Sequence, residues 1–217
     1  SHQAAWRIAH AVSAGRGYLL PPSKLALRQR SQEVKLIILD RDGVINQDSD
    51  DYVKSVDEWE AIPGSIEAIA KLSKAGYTVA VATNQSGISR GFFDEFELAA
   101  MHQKMCSLVE EEGGQISGVF FCPHGPDDDC ECRKPKIGLI EQIECEFGTN
   151  AEHLPFVGDS SKDLMCAKLA GCTPVLVRTG KGEMTLAESS ENELDGVSVF
   201  NNLKEYVDSL LQATPPQ

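Results

Sequence analysis

The sequence predicts an α/β domain built as three layers, with a parallel sheet covered by helices on both faces. Two observations lead to this expectation: short apolar runs rich in β-branched residues, and helical patterns that separate each run from the next. Strands buried on both faces give such continuous apolar runs, and crossover helices join parallel neighbours. The domain is predicted at residues 34–213, between an N-terminal extension at 1–33 and a tail at 214–217.

Five strands are expected in the interior of the sheet and a short one at its edge. The apolar runs lie at 34–40, 77–83, 118–122, 154–159 and 173–178, and the edge strand at 197–200. Helical patterns occupy 63–76, 94–112, 137–147, 161–170 and 203–213, with Pro or a capping acid near some starts and Gly after several ends. Each interval between strands is predicted to hold one helix, which leaves no room for a large cap domain.

Composition limits the classes of function. The chain has 217 residues and a formal net charge of −13, which argues against non-specific binding to nucleic acid or anionic lipid. No apolar run reaches the roughly 18–20 residues that cross a bilayer. We expect a cytoplasmic monomer without nucleic-acid or membrane partners. Residues 1–32 contain five basic residues and no acid, which favours a vector-derived or family-specific extension over a transit peptide, and Ser1-His2 without Met is typical of tag cleavage.

Polar side chains stand at the ends of the predicted strands. The carboxyl ends of parallel strands form one edge of a sheet, and ligands bind beyond it. Asp40-Arg-Asp42-Gly alone fits an Asx turn as well as a pair of catalytic or metal-binding acids. The later polar residues favour phosphoryl transfer, because hydroxyl and ammonium groups stabilise a phosphoryl group and a further acid suits a cation. They are Thr83 and Asn84 after the second strand, Lys134 before the helix at 137–147, and Asp159 after the fourth strand.

This order of acid pair, Thr, Lys and acid resembles the haloacid-dehalogenase superfamily of phosphatases over the whole predicted domain. The resemblance implies a Rossmann-like fold and a magnesium-dependent phosphomonoester hydrolase. It implies that Asp40 attacks phosphorus and becomes an aspartyl phosphate, and that Asp42 acts as general acid and then general base. Mg²⁺ would be held by Asp40, the main-chain carbonyl of Asp42, and Asp159. Thr83 and Lys134 would hold the other phosphoryl oxygens.

Four residues just before the predicted catalytic lysine form a second cluster. Cys122-Pro-His124 and Cys130-Glu-Cys132 provide three thiols and one imidazole, a common structural zinc set. The chain has seven cysteines, and this odd number argues against a disulfide framework. Zn²⁺ at this loop is predicted to order the short segment that leads to Lys134.

Four segments narrow the resemblance within the superfamily: 40–46, 83–91, 122–124 and 130–135. They are similar to bacterial phosphatases that remove the 7-phosphate of D-glycero-D-manno-heptose 1,7-bisphosphate in lipopolysaccharide precursor synthesis. Histidinol-phosphate phosphatases share the same motifs and are the alternative. A binding module on an inactive phosphatase scaffold and a nucleic-acid 3′-phosphatase are less favoured, because the catalytic set is intact and no basic groove is evident.

The resemblance also implies which residues contact the sugar phosphate. Carboxylate and amide groups suit sugar hydroxyls, whereas Arg suits a distal phosphate. The superfamily often has Lys directly after the last motif acid, where this chain has Ser160, so that phosphate contact is either weaker or supplied by Lys162. The expected substrate contacts are Asn46, Asp48, Tyr52, Asn84, Gln85, Ser86, Arg90 and Arg133.

Overall fold

The computed structural model of the chain describes residues 35–213 and the backbone of Tyr18–Leu19. Apart from that dipeptide, the predicted extension and tail lie outside the described residues. Among the described residues, no helix combines the length and apolar character needed to cross a membrane.

The sheet has seven strands in the order β1-β4-β3-β2-β5-β6-β7. All neighbouring strands are parallel except β1, which pairs antiparallel with β4. The predicted parallel sheet is therefore confirmed, and β1 adds an antiparallel edge that comes from the N-terminal extension. The strands are β1 (Tyr18–Leu19), β2 (Leu36–Leu39), β3 (Thr78–Asn84), β4 (Gly118–Cys122), β5 (Pro155–Gly158), β6 (Thr173–Val177) and β7 (Ser198–Phe200).

Seven helices connect and follow the strands in the described part of the chain. They are α1 (Ser65–Lys74), α2 (Glu95–Glu111), α3 (Gly138–Phe147), α4 (Ser161–Leu169), α5 (Gly182–Glu188), α6 (Glu191–Leu194) and α7 (Leu203–Ala213). Two short helices, α5 and α6, lie between β6 and β7, so the expectation of one helix per interval is wrong there. With seven and four residues, they are too short to show a clear helical period. Residues 35–213 contain no inserted cap domain.

Alternate residues of the strands pack in two separate hydrophobic cores, one on each face of the sheet. Ile37 and Leu39 of β2 point to one face, where α1, α2 and α7 pack, and Leu36 and Ile38 point to the other, where α3 and α4 pack. All four side chains are at most 1% exposed. Full burial of such a side chain stabilises the fold by roughly 1.5–3 kcal/mol. The three-layer arrangement is thus confirmed, and apolar residues hold both helical layers to the sheet.

The central strand β2 lies where the chain changes direction across the sheet. The chain runs from β2 outward through β3 to β4 and then returns to β5 on the opposite side of β2. Leu39 pairs with Val81 of β3 and with Val157 of β5. Such a switch point leaves a crevice beyond the strand ends. Asp40, the next residue, therefore enters that crevice between the ends of β3 and β5.

Candidate active site

A cavity of about 640 Å³ opens at this edge of the sheet. Of the predicted catalytic, magnesium-binding and substrate-binding residues, all except Asn46 line it. The lining residues among them are Asp40, Asp42, Asp48, Tyr52, Thr83, Asn84, Gln85, Ser86, Arg90, Arg133, Lys134 and Asp159. Side chains that are up to 119 residues apart in sequence thus meet in one place, because parallel strands end at one edge.

Lys134 lies at the floor of the cavity between two carboxylates. Its Nζ is 2.9 Å from Asp40 Oδ1 and 2.7 Å from Asp163 Oδ1, and it donates a 2.8 Å hydrogen bond to the Ala82 carbonyl. Burial lowers the pKa of Lys134, but the charges of Asp163 and Asp40 outweigh burial and raise it above its ordinary value. The side chain therefore stays an ammonium ion.

Three carboxylates come close together around this lysine. Oxygens of Asp40, Asp159 and Asp163 lie within 4.8 Å of one another. Burial, together with the neighbouring carboxylates, raises the pKa of Asp40 to about 7 and that of Asp159 to about 9. For Asp163, burial also raises the pKa, but Lys134 and Ser160 outweigh it and hold the pKa below its ordinary value. Asp163 thus stays ionised beside Lys134, whereas the raised pKa values of Asp40 and Asp159 show that their two negative charges together lack a full positive partner, which a hard cation bound through oxygen would supply.

Asp159 is fixed by residues that follow β6. Its Oδ2 accepts a 2.8 Å hydrogen bond from the Lys181 main-chain N–H, and its carbonyl accepts a 2.9 Å bond from Thr185 Oγ1 of α5. Two glycines lie directly against its carboxylate: a Cβ on Gly43 or Gly180 would stand 2.0 or 2.2 Å from Asp159 Oδ2. This close packing leaves the carboxylate little freedom to turn away from Asp40.

Asp42 receives hydrogen bonds on both oxygens. Its Oδ1 accepts from Arg41 Nη2 at 2.8 Å and from Asn46 Nδ2 at 2.9 Å, and its Oδ2 accepts from Gln85 Nε2 at 2.8 Å. Burial raises its pKa, but Arg41, Asn46 and Gln85 together outweigh burial and lower the pKa below its ordinary value. Two carboxylates two residues apart thus differ in protonation behaviour: Asp42 is ionised at neutral pH, whereas the pKa of Asp40 lies near 7.

Three of the expected substrate contacts have partners within the protein. Asn46 is fully buried, is not among the residues that line the cavity, and donates to Asp42. Asn84 reaches the cavity, but its side-chain amide pairs with the main chain of Lys134 in both directions, each hydrogen bond 3.0 Å long. Gln85 bridges Asp42 and Thr83 Oγ1, at 2.8 Å each. These three amides thus form hydrogen bonds with the predicted catalytic residues.

The outer wall of the cavity carries opposite charges. Lys181 Nζ lies 3.4 Å from Asp48 Oδ2, and the Arg90 guanidinium lies 5.9 Å from the centre of the Tyr52 ring. Arg133 donates a 3.1 Å hydrogen bond to the His124 carbonyl. Lys162, Met184 and Glu193 also line the wall. Positive groups on this wall suit an anion at a distance from the catalytic acids, and the acids suit hydroxyl groups.

The Cys and His residues of the predicted zinc loop converge. Cys122 Sγ lies 3.5 Å from His124 Nδ1, 3.8 Å from Cys130 Sγ and 3.0 Å from Cys132 Sγ. Ideal tetrahedral zinc sites separate such ligands by about 3.6–3.8 Å, so the donor set fits Zn²⁺ after a small outward shift of Cys132. The hydrogen bond between Cys122 and Cys132 raises the pKa of Cys122 and lowers that of Cys132 to about 5. All seven cysteines are free thiols.

Comparisons with known proteins show the family to which the chain belongs. A family model described as "Polynucleotide kinase 3 phosphatase" matches residues 35–174. A protein of Pseudomonas aeruginosa named D-glycero-beta-D-manno-heptose-1,7-bisphosphate 7-phosphatase is 54% identical over 82% of this chain and 98% of its own length. The chain belongs to the heptose-1,7-bisphosphate 7-phosphatase family.

Solved structures of heptose bisphosphate phosphatase and of a more distant relative agree with this assignment. The D,D-heptose 1,7-bisphosphate phosphatase of B. bronchiseptica, crystallised with magnesium and phosphate, is 50% identical and has a TM-score of 0.80 over 83% of this chain and all of that one. A HAD-like phosphatase from Mesorhizobium loti is 30% identical, with a TM-score of 0.66 over 76% of this chain and 81% of that one. The predicted resemblance to haloacid-dehalogenase phosphatases is confirmed.

Sequence reasoning about this heptose phosphatase family member missed part of the site. It left Asp163 without a role. Asp163 lies four residues after Asp159, in the first turn of α4, where its carboxylate also caps the start of that helix. The capping role is visible in the sequence, but the contact with Lys134 is not. It missed Lys181 and Thr185 because the helix that contains Thr185 was not predicted. It also assigned His102 no function, and no spacing in the sequence links this residue to Arg41, its neighbour in space.

Proposed function

We propose that the chain hydrolyses the 7-phosphate of D-glycero-D-manno-heptose 1,7-bisphosphate through an aspartyl phosphate on Asp40. The observation that carries this proposal is the 54% identity to a relative named for that reaction, over 82% of this chain and 98% of the relative. The intact cluster of Asp40, Lys134, Asp159 and Asp163 supports it, because an inactive scaffold would not need to bury these charges together.

The first half of the reaction uses both acids of the turn after β2. The Asp40 carboxylate attacks phosphorus in line with the leaving oxygen, so that a bond from Asp40 oxygen to phosphorus forms and the bond from phosphorus to O7 breaks. Asp42 takes up a proton from solvent before this step and gives it to O7. Thr83 and the Lys134 ammonium bind the remaining phosphoryl oxygens and stabilise the charge that develops there.

The second half returns the enzyme to its starting state. The Asp42 carboxylate takes a proton from a water molecule, which attacks phosphorus and breaks the bond to Asp40. Inorganic phosphate leaves, and Asp42 is again protonated. When bound by Asp40, Asp159 and the main-chain carbonyl of Asp42, Mg²⁺ would screen the repulsion between the carboxylate and the phosphate.

Substrate recognition is assigned to the outer wall. Arg90 and Arg133 bind the distal phosphate, because a guanidinium pairs well with phosphate oxygens. Asp48, Ser86 and Tyr52 face the sugar hydroxyls. Their position on the cavity wall supports these roles, whereas Asn46 and Asn84 act by orienting Asp42 and Lys134.

A structural zinc ion at Cys122, His124, Cys130 and Cys132 completes the proposal. This loop is tied to the cavity through the hydrogen bond from Arg133 to the His124 carbonyl. The seven cysteines form no disulfide in the described residues, which suits a reducing compartment and supports a cytoplasmic site for the reaction. We further propose that the protein works as a monomer.

The alternative of histidinol phosphate is not favoured. Relatives from Pseudomonas aeruginosa, Pseudomonas putida and Neisseria meningitidis, at 54%, 57% and 51% identity, are all named for the heptose bisphosphate. Basic residues on the outer wall also suit a second phosphate, which histidinol phosphate lacks.

A substrate panel tests the proposal. The purified protein is assayed with Mg²⁺ on the heptose 1,7-bisphosphate, on histidinol phosphate and on an oligonucleotide with a 3′-phosphate. We expect kcat/KM for the heptose substrate to exceed the other two by at least about a hundredfold, which is the loss expected when charged binding groups are left unpaired. A higher kcat/KM for either competitor contradicts the proposal.

Two variants separate chemistry from folding in the same assay. Asp40→Asn removes the nucleophile and should abolish turnover of every substrate while the melting temperature stays within a few degrees. Asp57→Asn makes the same chemical change at an exposed acid outside the cavity and should behave as the wild type. Substantial turnover by Asp40→Asn would refute the aspartyl-phosphate mechanism.

A further inference from the structure

Arg41 is a buried charge that the proposed reaction does not use. It stands between the two catalytic acids in sequence, yet it is fully buried and is not among the residues that line the cavity. Burying a guanidinium is costly unless its N–H groups are paired. Since this side chain does not line the cavity, its partners rather than the substrate must account for its position.

One partner is a single oxygen of Asp42. Arg41 reaches Asp42 Oδ1 through Nη2 at 2.8 Å and through Nε at 3.2 Å. A guanidinium group often uses two N–H groups to bind the two oxygens of a carboxylate separately. In this turn, both N–H groups donate to the same oxygen, Oδ1. Asn46 adds a third donor to Oδ1. The carboxylate is thereby rotated so that its other oxygen, Oδ2, faces the side of Thr83 and Gln85, where the phosphoryl group is expected.

The main chain of Arg41 also organises the turn. Its carbonyl accepts hydrogen bonds from the N–H groups of Val44, Ile45 and Asn46, at 3.3, 2.8 and 3.2 Å. The turn therefore closes around this residue, and a rotation of the Arg41 side chain would be transmitted directly to its neighbour Asp42.

The far end of the guanidinium meets a histidine from another element. Arg41 Nη1 lies 3.2 Å from Nε2 of His102, which is 1% exposed on α2 and packs near the Phe121 ring at 6.3 Å between centroids. Burial and the positive charge of Arg41 keep the pKa of His102 well below its ordinary value, so the ring is neutral. A neutral ring facing a donor accepts through Nε2 and carries its proton on Nδ1.

We propose that Arg41 and His102 are positioning residues that aim Oδ2 of Asp42 at the leaving oxygen. Helix α2 supplies a fixed acceptor, the guanidinium spans the distance to the turn, and the carboxylate is held at one oxygen. The inference rests on the proposed phosphatase chemistry, in which Asp42 protonates the leaving group.

The dependence of rate on the leaving group tests this role. Phenolate needs a proton as it leaves, whereas p-nitrophenolate is a much better leaving group and needs little help. The variant His102→Leu removes the acceptor at similar size. It should lower kcat/KM for phenyl phosphate at least about tenfold more than for p-nitrophenyl phosphate, since general acid catalysis supplies roughly 10²–10⁴-fold. His102→Gln keeps an acceptor and should restore most of the ratio.

A structural control lies on the same helix. Val109 is fully buried two turns after His102, about 10 Å along the axis. Val109→Ala should lower the melting temperature and leave the ratio of the two aryl phosphates unchanged. Equal losses on both esters in His102→Leu, or a changed ratio in Val109→Ala, would overturn the proposal. The aryl phosphate assay contains no heptose, so its result does not depend on whether the heptose bisphosphate is the natural substrate. The substrate panel tests that assignment separately.

The wild-type protein offers a test that needs no variant. Nitrogen-15 NMR of the imidazole at pH 7 should show a neutral His102 ring with the proton on Nδ1. A charged ring, or a proton on Nε2, would place two donors face to face and would contradict the assignment even if the His102 variants fail to fold.

Discussion

Gly43 lies in the turn after β2 with its Cα against the carboxylate of Asp159. Its φ is +79°, a left-handed conformation, and a Cβ at this position would stand 2.0 Å from Asp159 Oδ2 and 3.1 Å from the Gly180 Cα. Real Cβ atoms do not approach other atoms closer than about 3.0 Å. In Gly43→Ala the Asp159 carboxylate must therefore move by about 1 Å, a displacement that costs on the order of a hundredfold in rate when it affects reacting geometry.

We therefore expect Gly43→Ala to lower kcat/KM with Mg²⁺ on the order of a hundredfold and to weaken Mg²⁺ binding in calorimetry. The left-handed backbone adds a stability cost of about 1–2 kcal/mol. Gly76→Ala is the matched control, because Gly76 has a φ of +86° and no atom within 4 Å of its Cβ position. It should show the same loss of stability and full activity. Activity of Gly43→Ala within threefold of wild type, or an equal loss in Gly76→Ala, would refute the reasoning.

Three further perturbations test other parts of the site. Asn84→Leu removes two hydrogen bonds to the catalytic lysine's main chain, worth about 1 kcal/mol each, and should lower kcat/KM roughly thirtyfold; an unchanged rate would contradict the role of this amide. Cys132→Ser should abolish the one zinc ion per chain found by elemental analysis and lower the melting temperature by several degrees, whereas exposed Cys145→Ser should do neither. In EDTA, the free energy of unfolding should fall as the pH rises from about 4 to about 9. The pKa values of Asp40 and Asp159 in the folded protein are about 7 and about 9, whereas both carboxyl groups lose their protons near pH 3.8 in the unfolded chain. The folded protein therefore binds more protons than the unfolded chain over this range, and raising the pH destabilises it. Mg²⁺ should therefore release protons on binding at pH 7, and calorimetry in two buffers of different ionisation heat that detects none would exclude this linkage.

The order of strands and helices was predictable because its signals are local. The run before Asp40 is apolar at every position of β2, and the helix from Glu95 starts after a capping acid, Asp94, whose side chain accepts from the Glu97 N–H. Burial pattern and capping act within a few residues, so they are visible in the sequence. The short helices α5 and α6 have too few residues for a period, and the partner of β1 lies about 100 residues away.

The hydrogen-bond partners of Asn46 and Asn84 could not be predicted from the sequence. Asn84 directly follows Thr83 and Asn46 lies four residues after Asp42, and both were expected to contact substrate. The direction of each side chain depends on how the turn closes, and in the structure Asn46 donates to Asp42 while Asn84 pairs with the main chain of Lys134. Composition indicates that an amide is present, but only the folded turn decides which group it meets.

The chemical groups of the site were evident from the sequence, since two acids, a threonine, a lysine and a third acid follow successive strands in a recognisable order. Their mutual arrangement depended on the tertiary structure. The pairing of β2 with β5 leaves Asp40 beside Asp159, the segments after β4 and β5 bring Lys134 to Asp163, and α2 places His102 against Arg41. These contacts join residues 29 to 119 positions apart. Distances over such separations are set by sheet pairing and helix packing, which local sequence patterns do not encode.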